Sequence, residues 1–169
     1  MLIAQQDFRD EEYFIPKSIF QQQGIEVSTV STERGQAIGV FGGTTEVGFS
    51  FDEVKVSDFE GVVFVGGSGC MRDMDNKEVY RIAKEAVKQN KVLAAICISP
   101  AILANAGVLR GKKAVVWSSN MDKTAVKILE AGGADYKTEN IVVDNKIITA
   151  SGAEYAERFA KTIIELLKG

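Results

Sequence analysis

Two short segments, Gly61–Val65 (GVVFV) and Lys91–Ile96 (KVLAAI), are apolar at nearly every position. A strand with one wet face alternates apolar and polar side chains, so an unbroken run implies a strand covered on both faces. Such strands form the interior of a mostly parallel sheet with helices packed on either side. Each run ends at residues that punctuate a chain. Gly66-Gly67 follows the first, and Cys97-Ile98-Ser99-Pro100 follows the second.

The rest of the chain supplies the layers. Leu2–Gln5, Ile25–Val30, Lys113–Trp117, Ile141–Val143 and Lys146–Thr149 read as further strands, and Ala37–Phe41 with Thr45–Phe49 reads as a hairpin about Gly42-Gly43. Val79, Ile82, Ala83, Ala86 and Val87 make one helical stripe within Asn76–Gln89. Ala156, Phe159, Ala160, Ile163, Leu166 and Leu167 make another within Ala153–Lys168. Met121–Ala131 reads as a third helix, stopped by Gly132. Strand and helix alternate across residues 1–169 with no internal repeat or linker. The pattern predicts one domain, a three-layer α/β sandwich with a mostly parallel sheet and a small β-hairpin.

Composition narrows the chemistry. Twenty basic and 23 acidic side chains give a net charge of −3, which offers no basic surface for nucleic acid. No apolar run approaches the roughly 18 residues of a membrane span. No signal-peptide pattern is visible, and two cysteines do not make a disulfide framework, so a cytoplasmic protein is expected. The chain contains no histidine. That excludes a Ser-His-Asp or Cys-His mechanism built from one chain or from a second copy of it. It also removes the commonest metal ligand, so neither metal nor cofactor is expected. Proton chemistry would run on carboxylates, Cys, Lys or Tyr.

Three segments carry residues suited to chemistry, because sites in open α/β sheets gather at the carboxyl ends of the strands. Cys97 ends one apolar run and directly precedes a helical stretch, Ala101–Ala106. A nucleophile at such a turn is thrust out of the sheet, and a helix N-terminus favours its thiolate. Ser99 and Pro100 suit the start of that helix, as cap and first-turn residue. A lone cysteine there equally fits a small buried hydrophobe. Gly66-Gly67-Ser68-Gly69-Cys70 follows the other run, and its N–H groups fit either an oxyanion site or an ordinary β–α turn. Asp10-Glu11-Glu12 opens a helical stretch, where carboxylates complement the dipole. Pro16 denies the Glu12 carbonyl its helical partner.

Taken together, E-x-x-I-P at Glu12–Pro16, VVFVGG at Val62–Gly67, AIC-x-x-P at Ala95–Pro100, AGVLRGKKA at Ala106–Ala114 and the run from Val142 to Gly152 resemble the ThiJ/PfpI superfamily. That group includes protein deglycases, intracellular proteases and glyoxalase III enzymes. The resemblance implies a flavodoxin-like sandwich related to class I glutamine amidotransferases. It matches Cys97 to the nucleophile, Glu12 to the acid that shares the thiol proton, and the N–H groups of Gly67 and Ile98 to the oxyanion donors. It implies an enzyme acting on small reactive carbonyls or their protein adducts, assembled as a homodimer or larger homo-oligomer.

The chain departs from the family where Ile98 and Ser99 replace the usual His or Ala and then Gly. The protease branch takes its base from a His beside the Cys, so that base is missing. The place of a later family His falls at Trp117 or Ser118. Trp117 fits a pocket wall or a packed strand-end aromatic, but it cannot shuttle protons. Two other functions stay open: an oxidative-stress sensor or chaperone-like protein acting through Cys97 oxidation, and a weak cysteine hydrolase. Cys70 reads either as a resolving thiol for Cys97 or as loop filler.

Overall fold

The two apolar runs lie side by side at the middle of the sheet. A computed structural model describes residues 1–169. In chain order the elements are β1 (Gln6–Phe8), α1 (Asp10–Gln22), β2 (Val30–Ser31), β3 (Gly35–Gly39), β4 (Thr44–Val47), β5 (Phe49–Ser50) and β6 (Gly61–Phe64). There follow α2 (Cys70–Met74), α3 (Lys77–Lys88), β7 (Val92–Ile96), α4 (Pro100–Asn105), β8 (Lys113–Ala114) and α5 (Thr124–Ala131). The chain closes with β9 (Asp135–Tyr136), β10 (Ile141–Asp144), β11 (Ile147–Ala150) and α6 (Ala156–Lys168).

The central sheet runs β10-β11-β7-β6. β7 pairs in parallel with β6 on one side and β11 on the other, and every residue of it is buried. β10 joins by an antiparallel hairpin at the edge. Past β6 the sheet continues through Leu2, which bridges Phe64 and Val30 in parallel, to β2 and β5. Helices α3, α4 and α5 cover one face with Val79, Ile82, Ile102, Leu103 and Leu129. Helices α1 and α6 cover the other with Phe20, Phe159, Ala160 and Ile163. This is the three-layer flavodoxin-like sandwich. No helix is long and apolar enough to cross a membrane.

Several expected elements are shorter or shifted, each for a local reason. Leu2–Gln5 is not a continuous strand. Leu2 and Ile3 bond into the central sheet, while Gln6–Phe8 turns away to pair in parallel with β3. Asp7, with φ +65°, makes that change of sheet. Only Val30 of Ile25–Val30 joins the sheet as a strand residue, while Ile25 and Val27 pack against the α1–α6 core instead. Lys113–Trp117 pairs only through its first two residues. Beyond them the Val115 N–H donates to Thr149 Oγ1 (2.9 Å) and the Trp117 N–H to the Cys97 carbonyl (2.8 Å), single bonds rather than a ladder. The helix expected from Met121 starts at Thr124, and Met121 is wholly exposed. Val87, on the edge of its stripe, is exposed too.

The hairpin forms with Ile38 opposite Thr44 and Gly35 opposite Val47, so its strands sit earlier than the sequence pattern suggests. The reason lies in α1. The Asp10 carboxylate accepts the N–H groups of Phe41 and Gly43, each at 2.8 Å, and holds residues 40–43 as the turn. This ties the start of α1 to the hairpin, with Phe8, Tyr13, Ala37 and Val65 packed beneath. Charge-assisted bonds of this kind contribute more than neutral ones. Asp10→Ala is expected to lower the unfolding free energy by about 2 kcal/mol in urea titrations while leaving the far-UV circular dichroism unchanged.

Candidate active site

Strands β6 and β7 end beside one another because they pair in parallel, Phe64 opposite Ala95. The residues that follow them therefore meet above the sheet. Cys97 is the first residue past β7 and adopts φ +64°, a left-handed conformation that non-glycine residues rarely occupy. Its N–H donates to the Ala150 carbonyl (2.8 Å) and its carbonyl accepts from Trp117 (2.8 Å), so the backbone is held on both sides. The half-buried side chain is turned out of the strand, as at a nucleophile elbow.

Ser99 locks this turn, but not as a helix cap. It makes no side-chain cap bond to α4. Its hydroxyl is buried, accepts the Ile96 N–H (3.0 Å), and stands 2.8 Å from the carbonyls of Phe64 and Ile96 as donor. The hydroxyl thus staples the end of β7 to the end of β6.

Glu12 comes from the first turns of α1 and is almost completely buried. Its Oε2 accepts the Gly66 N–H at 2.8 Å. A Cβ placed on Gly66 would lie 2.6 Å from Glu12 Oε2 and 2.7 Å from Cys97 Cβ. Glycine is required there because the carboxyl and the thiol residue both press against the backbone. Oε1 of Glu12 is the one buried side-chain oxygen or nitrogen without a hydrogen-bond partner. An ionised carboxylate is costly to leave in that state, whereas a protonated one would turn Oε1 into a donor.

The electrostatics follow from this packing. Burial, the largest cause, pushes the Glu12 carboxyl up to about 7, against opposing pulls from the Cys97 thiol, the Gly66 N–H and Arg9. Burial also pushes the Cys97 thiol up, and the charge of the neighbouring Glu12 carboxylate acts in the same direction. The sequence expectation of a thiol lowered by a helix N-terminus is therefore corrected. Helix α4 has only six residues, and burial with a neighbouring carboxyl outweighs it. The nearby N–H groups of Ile98 and Gly67 oppose the rise. Neither donates to a backbone carbonyl, so both are free to serve an anion. Glu12 and Cys97 thus titrate as a pair, the first proton leaving near neutrality and the second held far higher. Between those steps the pair carries one negative charge.

The structure brings Cys97, Glu12, Gly67 and Ile98 together. It places Trp117 beside Cys97 through its backbone, with the indole 37% exposed. Cys70 is fully buried in the core on the α3–α4 side, and burial raises its thiol well above the ordinary value. That environment fits the space-filling role rather than the resolving one. A cavity of about 360 Å³ lies near Met1, Phe20 and Leu167 and is lined by neither Cys97 nor Glu12. No group of three or more Cys, Asp or Glu side chains is arranged to hold a metal ion.

Comparison with known proteins identifies the family. The DJ-1/PfpI family model matches residues 1–166. The chain belongs to the DJ-1/PfpI family. An uncharacterized member from Methanocaldococcus jannaschii is 37% identical over 99% of this chain and 81% of its own. A family member from Pyrococcus abyssi, named a deglycase, is 29% identical over 99% of this chain and 98% of its own. The crystal structure of a ThiJ/PfpI domain protein from Brachyspira murdochii superposes with a TM-score of 0.92 at 34% identity, covering 99% of this chain and 94% of that one.

Sequence reasoning missed two residues of this site. Asp10 reads as a dipole complement but organises the hairpin, and Arg9, ahead of the helix, carried no signal. A spacing of three residues from Glu12 could have drawn attention to Arg9, because it spans about one helical turn.

A carboxyl with a raised pKa binds its proton more tightly folded than unfolded, so its contribution falls as pH rises from about 4.5 to about 7. Glu12→Gln removes that loss. Urea unfolding of the variant relative to wild type is expected to gain about 3 kcal/mol between pH 4.5 and pH 7.5. A constant difference across that window would contradict the shift.

Proposed function

We propose that this member of the DJ-1/PfpI family is a cysteine-dependent enzyme acting on small reactive carbonyls or their protein adducts. The observation that carries the reading is the buried Glu12 carboxyl against the Cys97 elbow, flanked by the N–H groups of Gly67 and Ile98, which donate to no backbone carbonyl. The name of the Pyrococcus abyssi relative supports it. The proposed protein works in the cytoplasm as a homodimer or larger homo-oligomer, with a small-molecule carbonyl or a carbonyl-modified protein as its partner and no cofactor.

For an α-oxoaldehyde such as methylglyoxal, the Cys97 thiolate adds to the aldehyde carbon and forms a hemithioacetal. The Gly67 and Ile98 N–H groups hold the oxyanion. Glu12 removes the proton from the former aldehyde carbon and returns one to the neighbouring carbon. The first carbon is oxidised to a thioester as the second is reduced to an alcohol. Water then releases lactate and regenerates the thiol. The redox change is internal, so no external oxidant or reductant is needed.

Peptide hydrolysis is less well served, because no histidine is present to protonate an amine leaving group. A disulfide switch is poorly served because Cys70 is enclosed in the core. Lactate formation from methylglyoxal is expected in the wild type and absent in Cys97→Ser. Glu12→Gln is expected to lower kcat by about 10²-fold or more. Equal rates in wild type and Cys97→Ser would overturn the proposal.

A further inference from the structure

A site without histidine has only lysine or arginine to supply a positive charge. Arg9 stands at the site. Its N–H donates to the Gly66 carbonyl at 3.0 Å. A Cβ on Gly67 would meet the Arg9 nitrogen at 2.5 Å. The glycine pair that touches Glu12 and Cys97 on one side is therefore in contact with the Arg9 backbone on the other. Arg9 is also the residue immediately before α1, three positions ahead of Glu12.

Its side chain is held in place without being used up. The guanidinium lies 4.8 Å from the centre of the Phe41 ring. Nε donates to Glu11 Oε2 (2.9 Å) and Nη2 to Glu11 Oε1 (3.3 Å). Nη1 makes no hydrogen bond within the chain. The pair with Glu11 is more than a third exposed on both sides, so a second carboxylate can compete for the arginine with little loss. Phe41 is 65% exposed, which leaves the stacked guanidinium at an open rim. The charge of Arg9 is felt at both Glu12 and Cys97. An arginine offers its donors as a planar fork, the geometry that matches a carboxylate.

We propose that Arg9 is the specificity-determining residue of the Cys97 pocket and that it selects α-oxoaldehydes carrying a carboxylate over neutral ones. The chemistry rests on the carbonyl-enzyme reading above, while the anion selectivity rests on the placement of Arg9. Such a substrate would leave its aldehyde carbon to Cys97 and its carboxylate to the arginine. Glu11 would tune the site by holding Arg9 when no anion is present.

The test separates the two. Cys97 of the full chain is alkylated at low ionic strength with iodoacetate, which is anionic, and with iodoacetamide, which is neutral. Mass spectrometry reads the modification of Cys97. The ratio of the two rates cancels the fraction of thiolate, so it reports the field at the sulfur and needs no turnover. Arg9→Gln is expected to lower the iodoacetate-to-iodoacetamide ratio about fivefold, as for loss of one nearby charge in water. Glu11→Gln, which frees Arg9, is expected to raise it. An unchanged ratio in Arg9→Gln, or a fall in Glu11→Gln, overturns the inference. A merely structural Arg9–Glu11 clasp would make both variants move the same way. The Glu11→Gln result stands even if Arg9→Gln fails to fold.

Turnover supplies the second readout. The kcat/KM for 4,5-dioxopentanoate, relative to methylglyoxal, is expected to fall about fivefold in Arg9→Gln, carried by KM. A relative value that stays the same overturns the selectivity. If neither compound is converted, the carbonyl reading fails while the alkylation ratio still decides the role of Arg9.

Discussion

The architecture of the site depends on one buried carboxyl group pressed against the ends of two parallel strands. Glu12 is nearly inaccessible, takes one backbone N–H from Gly66, and has no partner for its other oxygen. Holding a carboxyl in that state is costly unless something shares its proton. Cys97 is placed to do so, because β7 pairs with β6 and releases its next residue beside Gly66. The strained backbone at Cys97 and the enclosed oxygen at Glu12 are two sides of one arrangement. Each is tolerated because the sheet and α1 fix the positions independently.

That arrangement explains why small details around it cannot vary freely. Gly66 must lack a side chain, or it would strike both Glu12 and Cys97. Ser99 must have its hydroxyl, or the β6 and β7 ends would lose the bond that spans them. Asp10 must reach the hairpin turn, since this contact anchors the start of the helix that carries Glu12. The missing histidines fit the same picture. With no imidazole near the thiol, proton transfer falls to a carboxyl whose affinity burial has moved close to neutrality.

Much of this was legible in the chain itself. The unbroken apolar runs GVVFV and KVLAAI do form the middle of the parallel sheet, because residues covered on both faces have no polar side to show. The stripes around Ile82 and Phe159 do face the sheet from opposite sides. Cys97, Glu12, Gly67 and Ile98 were found from the turn after a buried strand and from family likeness, and the structure brings all four together. Short edge segments were less legible. Leu2, Val30 and Lys113 join sheets through one or two residues, and so short a contact leaves no periodic trace. The part played by Ser99 was misread, since a serine before a proline looks like a cap whichever way its hydroxyl turns.

The sequence by itself determined the layered α/β plan, the two strands at its centre, and a proton chemistry without histidine. Those properties depend on residue type and on spacing along the chain. Only the tertiary structure decided which way the thiol titrates, that Cys70 lies in the core, and that Arg9 shares the glycine pair with Cys97 and Glu12. Each of these depends on burial and on contacts between segments far apart in the chain, and neither is set until the strands have paired.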